Sequence, residues 1–134
     1  MSNALTAKDL ERLYSLSYYL LRNGKFAQAE KILVTLCALQ PKRNPLWRAL
    51  GVTLHQMGRH QDAVTVFALA YSLDPSDASV LFYQGESFLA LGEKEKARAA
   101  LSKGVELAAN LPQLKPFQLR ALAILRVLTA ALAL

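Results

Sequence analysis

Cysteine and histidine are scarce in this sequence. Cys37 is the only cysteine among 134 residues, so no disulfide can form within the chain. It lies in the apolar run 34–39, where a buried small hydrophobic side chain is expected rather than a redox group or a nucleophile. The two histidines, His55 and His60, fall on different predicted helices on either side of Gly58. A metal site needs several converging ligands, so we expect no metal.

Signatures of catalysis and of cofactor binding are also missing. No glycine-rich phosphate loop followed by Lys-Ser or Lys-Thr is present, and the glycines fall at regular intervals instead. We therefore expect no cofactor and no enzymatic activity.

Linkers, targeting signals and long apolar runs are absent as well. No Ser/Gly-rich stretch divides the chain, which predicts a single domain over residues 1–134. The start has no basic segment followed by an apolar one, so no signal peptide is predicted, and Met1–Ala4 resembles a remnant of an expression vector. The apolar stretch 117–134 is interrupted by Arg120 and Arg126. The uninterrupted runs that remain are too short for a membrane span, which needs about 20 apolar residues. These features predict a cytoplasmic protein without stable membrane insertion.

Acidic residues are outnumbered, 10 against 16 basic ones, and the net charge is +6. The basic residues are scattered, with no cluster of five or six and no stripe interleaved with stacking aromatics. We therefore expect a solvated basic surface and no nucleic-acid partner, while an acidic protein partner stays open.

The most informative feature that is present is a period of 34 residues. It is kept by three sets of residues: Gly24, Gly58 and Gly92; Ala29, Ala63 and Ala97; Pro41 and Pro75. A fixed period of this length is the mark of a helical repeat array. Such arrays bind partners on a curved surface.

Capping residues and prolines predict where the helices begin and end. Thr6 with Asp9 resembles a capping box, Gly24 supplies a left-handed C-cap, and Pro41 ends the second helix. Ser76 or Asp77 is expected to cap the fifth helix. The predicted helices cover about 6–23, 26–39, 45–57, 60–73, 78–91, 94–109 and 116–132.

The repeats resemble the tetratricopeptide repeat. The register places repeats at about 10–43, 44–77 and 78–111, followed by a capping helix at about 116–132. The second repeat matches the pattern throughout, with Trp47, Leu50, Gly51, Leu54, Ala63, Phe67, Ala70 and Pro75. The resemblance implies an all-α fold of three helix-turn-helix repeats plus the capping helix, wound into a right-handed superhelix with a concave groove.

In such an array the first helix of each repeat lines the groove, through positions 2, 5, 9 and 12. The groove is therefore predicted to bind an extended, largely apolar peptide. Its candidate residues are Tyr14, Tyr18, Leu21, Arg48, Val52, His55, Phe82, Tyr83, Glu86 and Leu89. The alternative, that the aromatic residues among them only pack between helices, stays open. The Lys and Asn clamp that grips a chaperone carboxylate tail is absent, because those positions hold Tyr14, Tyr18, Ala49, Ser79 and Tyr83.

Several segments between the repeat positions resemble one tetratricopeptide family. They are LERLYSL at 10–16, GKFAQA at 24–29, LCAL at 36–39, WRALG at 47–51, QMG at 56–58 and LAANLP at 107–112. These segments are similar to those of the class II chaperones of bacterial type III secretion. The resemblance implies a cytoplasmic chaperone that holds hydrophobic translocator proteins soluble before export, with a segment of the translocator in the groove.

Three further possibilities remain at this stage. The family usually carries an extra N-terminal helical segment, so the start and the tail of this chain are expected to be truncated, and homodimerisation is left open. A generic tetratricopeptide scaffold, or a cochaperone of the export apparatus, is the alternative function. The very apolar last helix must bury more than one face or leave an exposed patch that promotes association.

Overall fold

The computed structural model describes residues 4–132, which form seven α-helices and one short 3₁₀ helix. The predicted vector remnant lies outside this range except for Ala4. The α-helices are α1 (Ala7–Arg22), α2 (Phe26–Leu39), α3 (Asn44–Gln56), α4 (His60–Leu73), α5 (Ala78–Ala90), α6 (Lys94–Leu107) and α7 (Lys115–Leu132). The all-α class and the stack of helix-turn-helix pairs are confirmed.

Local sequence signals account for most helix ends. The Thr6 side chain accepts a hydrogen bond from the Asp9 backbone N–H (3.1 Å), and the Asp9 carboxylate accepts one from the Thr6 N–H (2.9 Å), which completes the predicted capping box. Asp77, one of the two expected caps, accepts a hydrogen bond from the N–H of Ser79 at the start of α5. Gly58 closes the turn after α3 with φ of 76°, in the left-handed region that favours glycine.

The end of α6 differs from the prediction. α6 stops at Leu107 rather than near Ala109, and a 3₁₀ helix at Pro112–Leu114 leads directly into α7 at Lys115. The fixed φ of a proline and its missing N–H favour the first turn of a helix. Pro112 begins the 3₁₀ helix, and Pro116 is the second residue of α7.

Small residues allow the two helices of each repeat to approach closely. A Cβ atom added at Gly51 would lie 2.5 Å from the ring of Phe67, and one added at Gly85 would lie 2.6 Å from the side chain of Leu101. Ser17 holds the same position in the first repeat, fully buried, with its hydroxyl donating to the carbonyl oxygen of Tyr14 at 2.6 Å. The repeat period is therefore a packing period, because a larger residue at these sites would overpack the contact.

The core has two parts. The first surrounds Phe67 and Leu36 and joins the first two repeats to α5. The second surrounds Phe82 and Leu101 and joins the third repeat to α7. Cys37 lies in the first part, as predicted for a small hydrophobic residue, and burial raises the pKa of its thiol to about 11.

The order of the helices creates two layers. Each helix packs against the next along the chain, and α3 also contacts α5. The helices α1, α3 and α5 therefore form an inner layer, and α2, α4 and α6 an outer one. α7 packs against α6 and reaches α5, so it closes one end of the inner layer. Within residues 4–132, no helix has the length and apolar character needed to cross a membrane.

Candidate peptide-binding groove

The inner layer carries an apolar cavity of about 230 Å³. Side chains from α1, α3, α5 and α7 line it: Tyr18, Leu21, Arg48, Ala49, Val52, Ser79, Tyr83 and Phe117. Five of these are predicted groove residues. Four of them are at positions 5, 9 and 12, which helical spacing turns to the same side of a helix, and Tyr83 is one position beyond position 5. We call this cavity the apolar compartment.

A second, more polar cavity of about 470 Å³ adjoins the first. It is lined by His55, Gln56, Tyr83, Glu86, Pro116, Phe117 and Arg120. We call it the polar compartment. Tyr83 and Phe117 line both cavities, so the two compartments are consecutive parts of one groove along the inner layer.

An aromatic stack fixes the boundary between the compartments. The ring of Tyr83 stacks on Phe67 with centroids 5.8 Å apart, and Phe117 meets Tyr83 edge to face at 5.4 Å. Phe117 also stacks on Phe82 at 5.8 Å. Offset and edge-to-face pairs at these distances are favourable, so the boundary between the compartments is held by the core.

The only cation in the apolar compartment is already paired. Arg48 lies 2.7 Å from the Asp77 carboxylate, and both side chains are largely buried. Burial alone would lower the pKa of Arg48, but the hydrogen bond and the charge of Asp77 raise it overall. Because the pair is neutral, an apolar segment can lie over it without meeting an uncompensated charge.

Tyr14 and Tyr18 of α1 are in contact, but only Tyr18 lines the apolar compartment, and Tyr14 lines neither cavity. Their rings meet edge to face at 5.1 Å, and the Tyr14 hydroxyl donates to that of Tyr18 at 3.4 Å. Burial, followed by this hydrogen bond, raises the pKa of Tyr14. Both rings present amphipathic surface of the kind that binds peptides.

The polar compartment is built around Glu86. Its Oε1 lies 2.6 Å from Nε of Arg120, and its Oε2 lies 3.8 Å from Nε2 of His55. Burial raises the pKa of Glu86, and the charge of Arg120 opposes that shift. Burial also lowers the pKa of His55, with a further contribution from the charges of His60 and Arg120.

The two histidines lie on different helices, as predicted, but the turn at Gly58 folds them together. Their ring centroids are 5.0 Å apart, and Nδ1 of each lies near the hydroxyl of buried Ser87, at 2.7 Å for His55 and 3.4 Å for His60. Within the described part of the chain, no group of three or more histidine, cysteine or carboxylate side chains is arranged to hold a metal ion.

Two more predicted groove residues, Phe82 and Leu89, line neither compartment. Phe82 is only 2% exposed and packs in the second core between Phe117 and Gly104, so in the free protein it is a core residue and not part of the groove wall. Leu89 faces α7 in a separate apolar cavity with Ile124 and Val127. The physical reason is the same for both, because the capping helix covers this part of the third repeat.

The structure adds groove residues that the repeat register did not provide. Phe117, Pro116 and Arg120 come from α7, which follows the last repeat and has no assigned inward positions. The sequence signal for them was an aromatic residue and a basic residue in the first turns of a mostly aliphatic helix.

Comparison with known proteins agrees with this architecture. The sequence matches the tetratricopeptide repeat family over residues 14–78 and 68–112. It is 28% identical over 120 residues to low calcium response locus protein H of Yersinia pseudotuberculosis, covering 90% of this chain and 71% of that protein.

Solved structures give the same result. The translocator chaperone SycD of Yersinia enterocolitica superposes with a TM-score of 0.93 at 26% identity, covering 98% of this chain and 91% of SycD. A second SycD structure, in complex with a peptide of the translocator YopD, has a TM-score of 0.92 at 27% identity, covering 96% and 98%. PcrH of Pseudomonas aeruginosa has a TM-score of 0.88 at 27% identity, covering 94% and 96%. The chain therefore belongs to the tetratricopeptide-repeat family, among the type III secretion translocator chaperones that these structures represent.

Proposed function

We propose that this protein is a cytoplasmic chaperone of a bacterial type III secretion system. It binds an extended, largely apolar segment of a hydrophobic translocator in the groove and keeps the translocator soluble before export. It acts by sequestration and not as an enzyme. The observation that carries this proposal is the apolar compartment, which is lined mainly by the inner helices. SycD, which has the same fold, has been solved in complex with a translocator peptide.

The chemistry of the groove supports an extended apolar ligand. Concave sites lined by aromatic and aliphatic side chains, with a few polar groups, are the usual form of peptide and ligand pockets. Arg48 and Asp77 neutralise each other, while Tyr14 and Tyr18 offer hydroxyls next to their rings. A translocator segment bound there is withdrawn from water, which removes the apolar surface that would drive aggregation or membrane insertion.

The test is co-expression with translocators encoded in the same operon, followed by mass measurement of the complex and titration of the captured segment. The key variant is Tyr18→Ala, and its control is Tyr19→Ala on the same helix. Tyr18 is 42% exposed and lines the apolar compartment, whereas Tyr19 is 61% exposed and does not line it. We expect Tyr18→Ala to weaken binding at least about tenfold, since truncated aromatic anchors commonly cost more than 1.4 kcal/mol.

Equal binding by both variants, with helicity intact, would contradict the groove assignment. Capture of soluble proteins without any translocator would favour a generic scaffold instead. Light scattering on the free protein tests homodimerisation, for which SycD provides a precedent in a structure described as an alternative dimer.

A further inference from the structure

The two compartments of the groove differ in chemistry, and this difference has a consequence for the bound segment. The apolar compartment accepts an aliphatic or aromatic side chain. The polar compartment contains a carboxylate, a guanidinium group, an imidazole and a primary amide. Because Tyr83 and Phe117 line both, a segment that fills the first compartment and continues along the inner layer enters the second.

Only one of the two carboxylate oxygens of Glu86 is paired with Arg120. Its Oε1 is paired with Arg120 at 2.6 Å, but its Oε2 is 3.8 Å from the nearest His55 nitrogen, which is beyond hydrogen-bond distance. The Glu86 side chain is 19% exposed and lines the cavity, so Oε2 is an acceptor that a ligand can reach.

Donors stand beside this acceptor. Arg120 makes its ion pair through Nε, lines the cavity and has a side chain that is 70% exposed, so its terminal N–H groups are available to a ligand. Gln56 lines the same cavity and is exposed. His55 is neutral near pH 7, because its pKa is lowered below the ordinary 6.5. The compartment therefore offers an acceptor and several donors with a net charge near zero.

Ligand side chains can be ranked against this arrangement. A carboxylate would be repelled by Glu86, and an ammonium group by Arg120. An aliphatic side chain would remove water from Glu86 and Arg120 and give no hydrogen bond in return, which is unfavourable. A carboxamide satisfies both, because its NH₂ donates to Oε2 of Glu86 and its oxygen accepts from Arg120.

We propose that the polar compartment is a specificity site that selects an uncharged polar residue, best asparagine or glutamine, in the segment whose neighbouring apolar residue fills the apolar compartment. The inference rests on the proposed function, since it describes the same bound segment. It assigns to Glu86 and Arg120 the direct recognition of a cargo side chain, and it gives α7 a part in choosing the cargo.

The test is a scan of the captured translocator segment with the wild-type protein. Each position is replaced in turn by Asn, Leu, Glu and Lys, and the dissociation constant of each peptide is measured. We expect one position at which Asn binds at least about tenfold more tightly than the other three. A scan in which no position prefers Asn overturns this inference and leaves the proposed function standing. Failure of the wild-type protein to bind any translocator segment overturns both.

Two variants then test the residues. In Glu86→Ala the guanidinium of Arg120 loses its partner, so the preference at that position should move from Asn to Glu. In Arg120→Ala the carboxylate of Glu86 is left unpaired, so the preference should move to Lys. A purely structural role would weaken all peptides alike and would not produce these opposite shifts. Glu106→Ala, an exposed glutamate on α6, is the control and should keep the wild-type preference.

Discussion

At the scale of single residues, the His55–Ser87–His60 contact is sensitive to pH. A serine hydroxyl donates one hydrogen bond and accepts two, so buried Ser87 can serve one imidazole as donor and the other as acceptor. Protonation of His55 would place a charge in a half-buried site, beside His60, whose ring centroid is 5.0 Å away, and near the guanidinium of Arg120. Glu86, Arg120 and Tyr83 are the other titratable groups that face His55.

We predict that acidification from about pH 8 to about pH 6 lowers the melting temperature. The folded-state pKa of His55 is below its unfolded value of 6.5, so the unfolded chain binds more protons in this range. The stability due to neutral His55 is therefore present above pH 6.5 and is lost as the pH falls. Thermal unfolding followed by circular dichroism measures this slope.

The matched variant is His55→Gln, which should flatten that dependence. An unchanged slope in the variant, or a wild-type protein that becomes more stable on acidification, would contradict the assignment. Glu86 acts with the opposite sign, because its folded-state pKa is raised above 4.5 and its contribution falls as the pH rises through that raised value. The thermal unfolding measurements are therefore kept between about pH 8 and about pH 6, where His55 is the group under test.

At the scale of helices, the sequence predicts most of what local chemistry controls. The bounds of α2 and α4 agree with the prediction at both ends, because each begins after a left-handed glycine turn and ends just before an Xaa-Pro step. The late part of the third repeat was less predictable, since Pro112 comes later than the repeat period requires and the chain forms a 3₁₀ turn there.

The groove residues show the same division. Tyr18, Val52 and Glu86 follow from the repeat register, because they occupy the same position in successive repeats, 34 residues apart. Phe82 occupies a groove position of the repeat register, but it does not line the groove because Phe117 covers it. Contacts between α5 and α7 depend on how a helix outside the repeat docks, and no periodicity carries that information.

The contact of Phe117 with α5 leads to a prediction about α7. Phe117→Ala removes the stack on Phe82 and the edge contact with Tyr83. Because Phe117 is half-buried, the loss of unfolding free energy should be below the about 3–5 kcal/mol typical of a fully buried phenylalanine. Denaturant unfolding measures it, with Leu119→Ala as the control because Leu119 is an exposed residue of the same helix.

The same variant should also weaken binding of the translocator segment, since Phe117 lines both compartments. Equal effects of Phe117→Ala and Leu119→Ala on stability and binding would contradict the conclusion that Phe117 anchors α7 to α5.

At the scale of the whole molecule, charged pairs connect successive parts of the array. Arg43 lies 3.0 Å from Glu11, Arg59 lies 2.6 Å from Glu30, and Arg120 lies 2.6 Å from Glu86. Exposed ion pairs each contribute little to the free energy of unfolding, so these pairs orient neighbouring helices more than they stabilise the fold. The larger coupling comes from the shared cores, in which Val80 of α5 belongs to the core of the first two repeats.

This coupling predicts that residues 4–132 unfold as one unit. Repeat arrays are stabilised by nearest-neighbour contacts, and short arrays with strong interfaces unfold cooperatively. Trp47 is the single tryptophan and reports on the second repeat, whereas circular dichroism reports on all helices. Chemical unfolding followed by the two signals should give coincident curves. Separate midpoints would mean that the third repeat and α7 form an independent unit.

The position of Phe117 also limits how the protein can be engineered. Consensus repeat arrays are lengthened by inserting further repeats before the terminal cap, because the cap serves only to shield the last interface. Here the first turns of the cap form part of the floor of the binding site. A repeat inserted between α6 and α7 would carry Phe117 and Arg120 away from Tyr83 and Glu86. The array could grow longer, but its binding site would be divided, so the number of repeats is fixed by recognition rather than by folding.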